Sequence, residues 1–404
     1  MKPCRQPFAG PRKWKNPYDQ ALPLQWSSLS FFGFFCAYGV LLPFLPLWLK
    51  DSGYATETIG LLASLGFVFR FLGGIACSQR IKGPNQLIPT IRVLAWVSLA
   101  ITLIMAWAVQ SLWWLLPAFA LFHMVNGGSM PINETIASTW QKQVGMDYGR
   151  SRLFGSLAFV VGSISTGYLV GWLGENSIIF IMAGWLLFLS LSQMLAPTTY
   201  FAENEQKETA CKVSYWDLLK DKTTLRMMIA ISLIQASHAA YYTYSTLHWQ
   251  ANGISPQTAS LLWGLAVTSE IVLFFVANRV FKNWSIYGLM LTSALACILR
   301  WSLLASQTEV AILALEQAMH ALTFAIGHVA MIRYISTQDT QKIAKLQALY
   351  FALASCGLMA IFTLIAGFIY AHSASASFWL MALIVIPAIF IVPKRFVTQI
   401  QEQK

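Results

Sequence analysis

Residues 48–62, WLKDSGYATETIGLL, recur in altered form as residues 249–262, WQANGISPQTASLL, and most of the match falls at one offset of 200. At that offset Gly53 meets Gly253, Thr58 meets Thr258, and Leu61 and Leu62 meet Leu261 and Leu262. Further on, AGFI at 366–369 answers TGYL at 166–169. A repeat this long makes the chain two copies of one half. Both copies are apolar: 57% of the chain is hydrophobic and 11% charged, far from the globular norm. Apolar runs of about 20 residues recur along the whole length, which is the pattern of a polytopic membrane protein.

Twelve spans are predicted, at 26–49, 57–79, 86–109, 111–139, 150–173, 177–196, 224–250, 256–278, 285–305, 309–332, 343–371 and 376–393. The expected fold is therefore all-α, with twelve transmembrane helices in two six-helix halves. The halves are residues 26–196 and 224–393, joined by a central loop at 197–223 and flanked by an N-terminal segment 1–25 and a tail 394–404. Short connections leave no room for a soluble catalytic domain, so the chain is not expected to be an enzyme. Parallel six-helix halves are the pattern of a major facilitator transporter, with substrate bound between them.

Loop charges set the expected orientation. The N-terminus (Lys2, Arg5, Arg12, Lys13, Lys15), the even-numbered loops (Arg80 and Lys82; Lys142 and Arg150; Lys342 and Lys345) and the tail (Lys394, Arg395, Lys404) are basic. The odd-numbered loops hold little beyond Lys50, so both termini and the central loop are predicted to be cytoplasmic. The net charge of +11 reads as this bias rather than as nucleic-acid binding. The first apolar run exceeds a signal h-region and lacks a cleavage site, so it is expected to be retained. The six cysteines show no metal spacing, and Cys4 and Cys211 face the reducing side, so no disulfide, metal or cofactor is expected. The expected partners are protons, the bilayer and a small organic anion, with the chain acting as a monomer.

Several features read first as architecture. Gly155, Gly162, Gly167 and Gly171 give span five a small-residue face suited to close packing. Pro43, Pro46, Pro117 and Pro131 would kink spans one and four. The central SYWDLLKDKTTLRMM reads as a linker, with a surface amphipathic helix as the other possibility.

Ionisable residues in the spans are more demanding, because each costs roughly 2.5–3.5 kcal/mol at mid-bilayer on insertion scales. They are Arg70, Glu134, Arg152, Glu270, Arg300, Glu316 and His320, with His123, His238 and His328 also able to titrate. Glu134 and Arg152 flank the loop QKQVGMDYGR at similar distances, so antiparallel neighbours bring them to one depth. Arg300 and Glu316 flank the turn near Gln307 in the same way, and a purely structural salt bridge is an equal reading of that pair. Asn126, Asn133 and Gly127–Gly128 suggest a polar interior on span four. Arg92 and Asp51 lie near an interface and are expected to snorkel. Arg70 and Glu270 occupy equivalent mid-span positions in the two halves and are expected to serve substrate charge or proton coupling. His320 is one turn from Glu316 and shares its face, which suggests a proton relay. Tyr241 and Tyr242 lie deep enough in span seven to line a cavity for a flat ligand, whereas Trp249 fits an interfacial belt.

The stretch DYGRSRLFGSLAFVVGSISTG resembles the fourth-to-fifth-helix region of the lactose permease branch of the major facilitator superfamily. That resemblance implies substrate binding by Glu134 and by Arg152, the second Arg of Arg150-Ser151-Arg152. It also places the family's helix-nine Arg, helix-ten His and helix-eight Glu on Arg300, His320 and Glu270. The carboxylate that follows the His by three positions is replaced by Thr323, and Glu316 is the candidate substitute. A nearer resemblance, resting on TWQKQ, DYGRSRLFGS, QASHAAYY and MALIVIPAIF, is to the bacterial 3-phenylpropionate transporters and covers about residues 25–395. The superfamily's loop-two signature is degenerate, since GGIACSQRIKG has no Asp.

The expected function is a proton-coupled symporter of the bacterial inner membrane that imports a small aromatic carboxylate such as 3-phenylpropionate by alternating access. The carboxylate would go to Arg152 or Arg70, with Glu134 and Asn126 nearby, the ring to Tyr241 and Tyr242, and the proton to Glu134, Glu270 or Glu316–His320 beside Arg300. A neutral oligosaccharide or nucleoside symporter is the alternative, and a non-transporting membrane receptor the remote one.

Overall fold

The computed structural model describes residues 20–201 and 214–394. Most of the N-terminal segment and the tail, the middle of the central loop, and Cys4 and Cys211 lie outside the described residues. The helices are α1 Pro23–Asp51, α2 Thr56–Arg80, α3 Pro84–Ala108, α4 Leu112–Val144, α5 Tyr148–Leu173 and α6 Glu175–Ser192. After the central loop come α7 Tyr215–Lys220, α8 Lys222–Ala236, α9 Ala239–Ala251 and α10 Pro256–Val280. The chain ends with α11 Ile286–Ser306, α12 Val310–Ser336, α13 Gln341–His372 and α14 Ala374–Ile391. Eleven helices among the described residues are long and apolar enough to cross a membrane. The seventh span is α8 and α9 together, making twelve in two halves.

That seventh span is not the single helix that the apolar run 224–250 suggests. It breaks at Ser237–His238, where the Ser237 hydroxyl bonds the Ile234 carbonyl and His238 Nδ1 lies 3.1 Å from the same oxygen. Side chains thus compete with the backbone ladder. Conversely α1 and α4 run on through Pro43, Pro46, Pro117 and Pro131. The π-helical turns fall elsewhere, at 321–325 in α12 and 351–357 in α13. Among the described residues of the central loop, α7 is a helix of six residues, and Asp221 at its end caps α8 through the Thr224 N–H.

The sequence repeat is a repeated turn. Gly53 N–H bonds the Lys50 carbonyl and Tyr54 N–H the Leu49 carbonyl; Gly253 does so to Gln250 and Ile254 to Trp249, each at the 200-residue offset. Both glycines have positive φ, 89° and 82°, a conformation that L side chains resist.

The halves meet at the charge-poor end of the bundle, where these turns lie. A Cβ on Gly60 of α2 would stand 2.9 Å from Gly367 Cα of α13 and would strike the Tyr244 hydroxyl. A Cβ on Gly167 of α5 would strike Ser260 of α10 and stand 2.5 Å from the Pro256 carbonyl oxygen. Tyr244 donates to the Thr56 carbonyl at 2.9 Å, and Gln250 to Glu175 at 2.6 Å. The expected small-residue face of α5 therefore has two uses: Gly162 packs on Cys36 of α1 within its half, while Gly167 and Gly171 pack on α10 of the other. At the basic end Arg92 does more than snorkel, donating to the Gln193 and Leu195 carbonyls at the end of α6. Beside it Gln20–Ala21 pairs in parallel with Ala196–Pro197.

Candidate functional site

α4 ends at Gly145, whose φ is 69°, and Asp147 caps α5 by accepting from the Arg150 N–H at 2.9 Å. So tight a turn makes α4 and α5 antiparallel neighbours, and Glu134 and Arg152 meet at one depth, Nε to Oε1 at 3.1 Å. The Arg152 guanidinium also lies over the Phe35 ring, 4.5 Å from its centre, and Tyr148 donates to the other Glu134 oxygen. Both charged side chains remain about a third exposed, 32% and 30%.

A second polar centre lies within the other half. Arg300 Nε bonds Glu316 Oε1 at 3.0 Å, with both side chains fully buried. Its Nη1 approaches His320 Nδ1 at 2.6 Å and the Thr323 hydroxyl at 3.1 Å. His320 Nε2 lies 2.7 Å from Glu270 Oε1. The tautomer follows from the partners. A guanidinium can only donate, so Nδ1 accepts and Nε2 carries the hydrogen that points at Glu270. His320 is then neutral, and Glu270 has no cation as its direct partner.

This geometry corrects two expectations. Glu316 and His320 share a face but not a bond: Glu316 holds Arg300, and the carboxylate of His320 is Glu270. Tyr241 is packed in the core: it is fully buried, donates to Gln317 at 2.7 Å and stacks on Trp263 at 4.6 Å, with the Arg300 guanidinium 4.4 Å from its ring centre. Gln317, which carried no sequence signal, and Thr323 complete the centre. Gln317 holds the second Glu316 oxygen at 2.5 Å, and Thr323, where the resembled family has a carboxylate, joins Arg300 to His238.

Breaking this centre has a measurable consequence. Arg300→Met leaves Glu316 buried without its counter-ion, which costs roughly 3–5 kcal/mol. The apparent thermal midpoint in detergent should fall sharply. The double variant Arg300→Met/Glu316→Gln should recover most of the loss, and equal midpoints for single and double variants would refute the pairing.

Arg70 stands apart from both pairs. Its Nη1 donates to the Tyr38 hydroxyl at 2.8 Å, and no carboxylate among the described residues lies within ion-pair distance. It does not meet Glu270, its equivalent in the other half. It borders a cavity of about 570 Å³, open solvent included, lined by apolar side chains such as Leu41, Leu45, Phe67 and Phe119 and by Tyr242. His123 also lines it, packed against Phe119. Asn126 is buried on α4 with its Oδ1 unpartnered and does not line the cavity.

The comparisons agree with this architecture. The model of the MFS_1 like family matches residues 24–381. A protein of Escherichia coli (strain K12) named "Probable 3-phenylpropionic acid transporter" is 36% identical over 370 residues, 92% of this chain and 97% of that one. One of Bacillus subtilis (strain 168), "Uncharacterized transporter YwbF", is 25% identical over 276 residues, 67% of each. Among solved structures the nucleoside transporter NupG superposes with a TM-score of 0.77 at 14% identity, covering 92% of this chain and 98% of that one, a likeness of fold. The chain is a membrane transporter that belongs to the MFS_1 like family, with the major facilitator fold.

Proposed function

We propose that the protein is a proton-coupled importer of a small aromatic carboxylate such as 3-phenylpropionate, in the bacterial inner membrane with both termini cytoplasmic. The observation that carries the reading is the charge left over inside the spans. Arg152 is matched by Glu134, and Arg300 by Glu316. Of the mid-span charges named above, one cation, Arg70, and one carboxylate, Glu270, remain among the described residues, and the direct partner of Glu270 is a neutral imidazole. They lie in opposite halves and have complementary needs: Arg70 an anion, Glu270 a proton. A carboxylic acid delivered as anion plus proton satisfies both. This assigns the substrate carboxylate to Arg70 rather than to Arg152, which already has its counter-ion. The name of the Escherichia coli relative points to the same substrate class.

Coupling follows from desolvation. Moving the halves, residues 26–196 against 224–393, past each other with Arg70 or Glu270 unneutralised leaves a charge in the membrane interior, at roughly 2.5–3.5 kcal/mol. Loading both removes that penalty, so the loaded form crosses fastest. With the basic loops inside, the contacts at the charge-poor end close the external side.

Monoanion plus proton is electroneutral, whereas a neutral sugar or nucleoside with a proton gains about 2.3 kcal/mol per 100 mV. Proteoliposomes should take up 3-phenylpropionate down an imposed pH gradient at a rate unchanged by clamped potential. Absence of any aromatic-acid uptake, with potential-dependent nucleoside or galactoside uptake, would establish the alternative.

A further inference from the structure

We infer that the ligand carboxylate is held between the two halves, by Arg70 of α2 and the hydroxyl of Tyr242 of α9, with the aryl ring in the apolar part of the same cavity. The inference rests on the functional reading above and adds its site and selectivity.

Position is the first ground. Arg70 and Tyr242 both line the cavity, one from each half. Arg70 is eleven residues along α2 from Ile59, which lines the cavity near its closed end, so the two are roughly 16 Å apart along the helix. Between them the wall is apolar, with Leu41, Leu45, Phe67 and Phe119. A ligand with one charged end and one flat apolar end fits in a single direction.

Free valence is the second. Arg70 gives one of its five N–H donors to Tyr38 and has the rest of its fork for a carboxylate. Tyr241 commits its hydroxyl to Gln317, but the neighbouring Tyr242 hydroxyl makes no hydrogen bond among the described residues. Tyr242 also packs among the aromatic side chains of its own half. Its ring is stacked on His238 at 5.6 Å and set edge-on to His320 at 6.2 Å. A carboxylate bound here touches the proton-side aromatic cluster through Tyr242 and the opposite half through Arg70, so its arrival is felt by both.

Selectivity follows. The site suits monocarboxylates with an aryl or bulky apolar tail. A second carboxylate or a row of hydroxyls would be pressed unpaired against the leucine and phenylalanine wall. A short aliphatic acid would keep the charge contact and lose the wall.

The test is equilibrium binding of labelled 3-phenylpropionate to the full chain in nanodiscs, competed by 3-phenylpropanamide and by propionate. The acid should outbind its amide by about 10–150-fold, the range for losing a charged hydrogen bond. Arg70→Met should abolish that preference while still binding the amide, which shows that the variant is folded. Arg70→Lys should restore part of it, and Tyr242→Phe should weaken the acid by about 5–10-fold with the amide unchanged. The double variant Glu134→Gln/Arg152→Met should keep the acid–amide ratio. A wild-type chain that binds no aryl carboxylate overturns the functional reading and this site with it. A wild-type preference that survives Arg70→Met overturns the site and leaves the functional reading standing.

Discussion

Glu270→Gln should convert the transporter into an equilibrator. With one proton per monoanion, as proposed, the wild-type protein should concentrate substrate about tenfold per unit of pH gradient, since a tenfold ratio corresponds to about 1.36 kcal/mol. The glutamine is isosteric, can still accept from His320 Nε2 and carries neither charge nor proton. The half that bears it no longer waits for a proton before it moves. With the potential clamped at zero, net accumulation should therefore fall to a ratio of about one, the value without a coupled gradient. Exchange of labelled for unlabelled substrate across the same membranes should persist, because the binding cation, Arg70, is untouched. Continued concentration by this variant would remove Glu270 from the coupling step, and loss of exchange as well would make it part of substrate binding.

On the proposed orientation, Gly60→Leu and Gly167→Leu should hold the external closure apart. A leucine at Gly60 has to displace Gly367 and Tyr244, and one at Gly167 has to displace Ser260 and the Pro256 carbonyl. Backbone offers no rotamer to yield, so the contact opens rather than adapts. Overpacking of this kind costs about 1–3 kcal/mol. Charged against the closed form alone, that shifts the open–closed ratio by about 5–150-fold. Leu45→Cys on the cavity wall gives the readout. In intact cells it should react slowly with an impermeant maleimide in the otherwise native chain and rapidly beside Gly60→Leu, while uptake falls. Unchanged labelling with normal uptake would mean that the contact at Gly60 is no gate.

The sequence pattern revealed some of this architecture and missed the rest for definite reasons. Charges that flank one short loop must sit at one depth, so Glu134–Arg152 and Arg300–Glu316 were legible as pairs from spacing alone. The bond from Glu270 to His320 joins spans eight and ten, and spacing says nothing about which helix faces which across a bundle; only family resemblance put those residues in one set. Tyr38 gave no sign as the partner of Arg70, since a tyrosine in an apolar span is ordinarily packing. Tyr241 and Tyr242 were indistinguishable as neighbours, yet about 100° of helix rotation per residue sends one into the core and the other to the cavity. The break at Ser237–His238 was hidden because no Gly or Pro marks a helix end anywhere in residues 224–250.

The glycine contacts at the closed end follow the repeat. Position 60 corresponds to 260, and 167 to 367, so Gly60 on Gly367 and Ser260 on Gly167 are one contact made twice with the partners exchanged. That reciprocity defines an isologous interface, the kind by which two identical subunits form a dimer with twofold symmetry. The seam inside this single chain is thus organised as the interface of a homodimer of six-helix proteins.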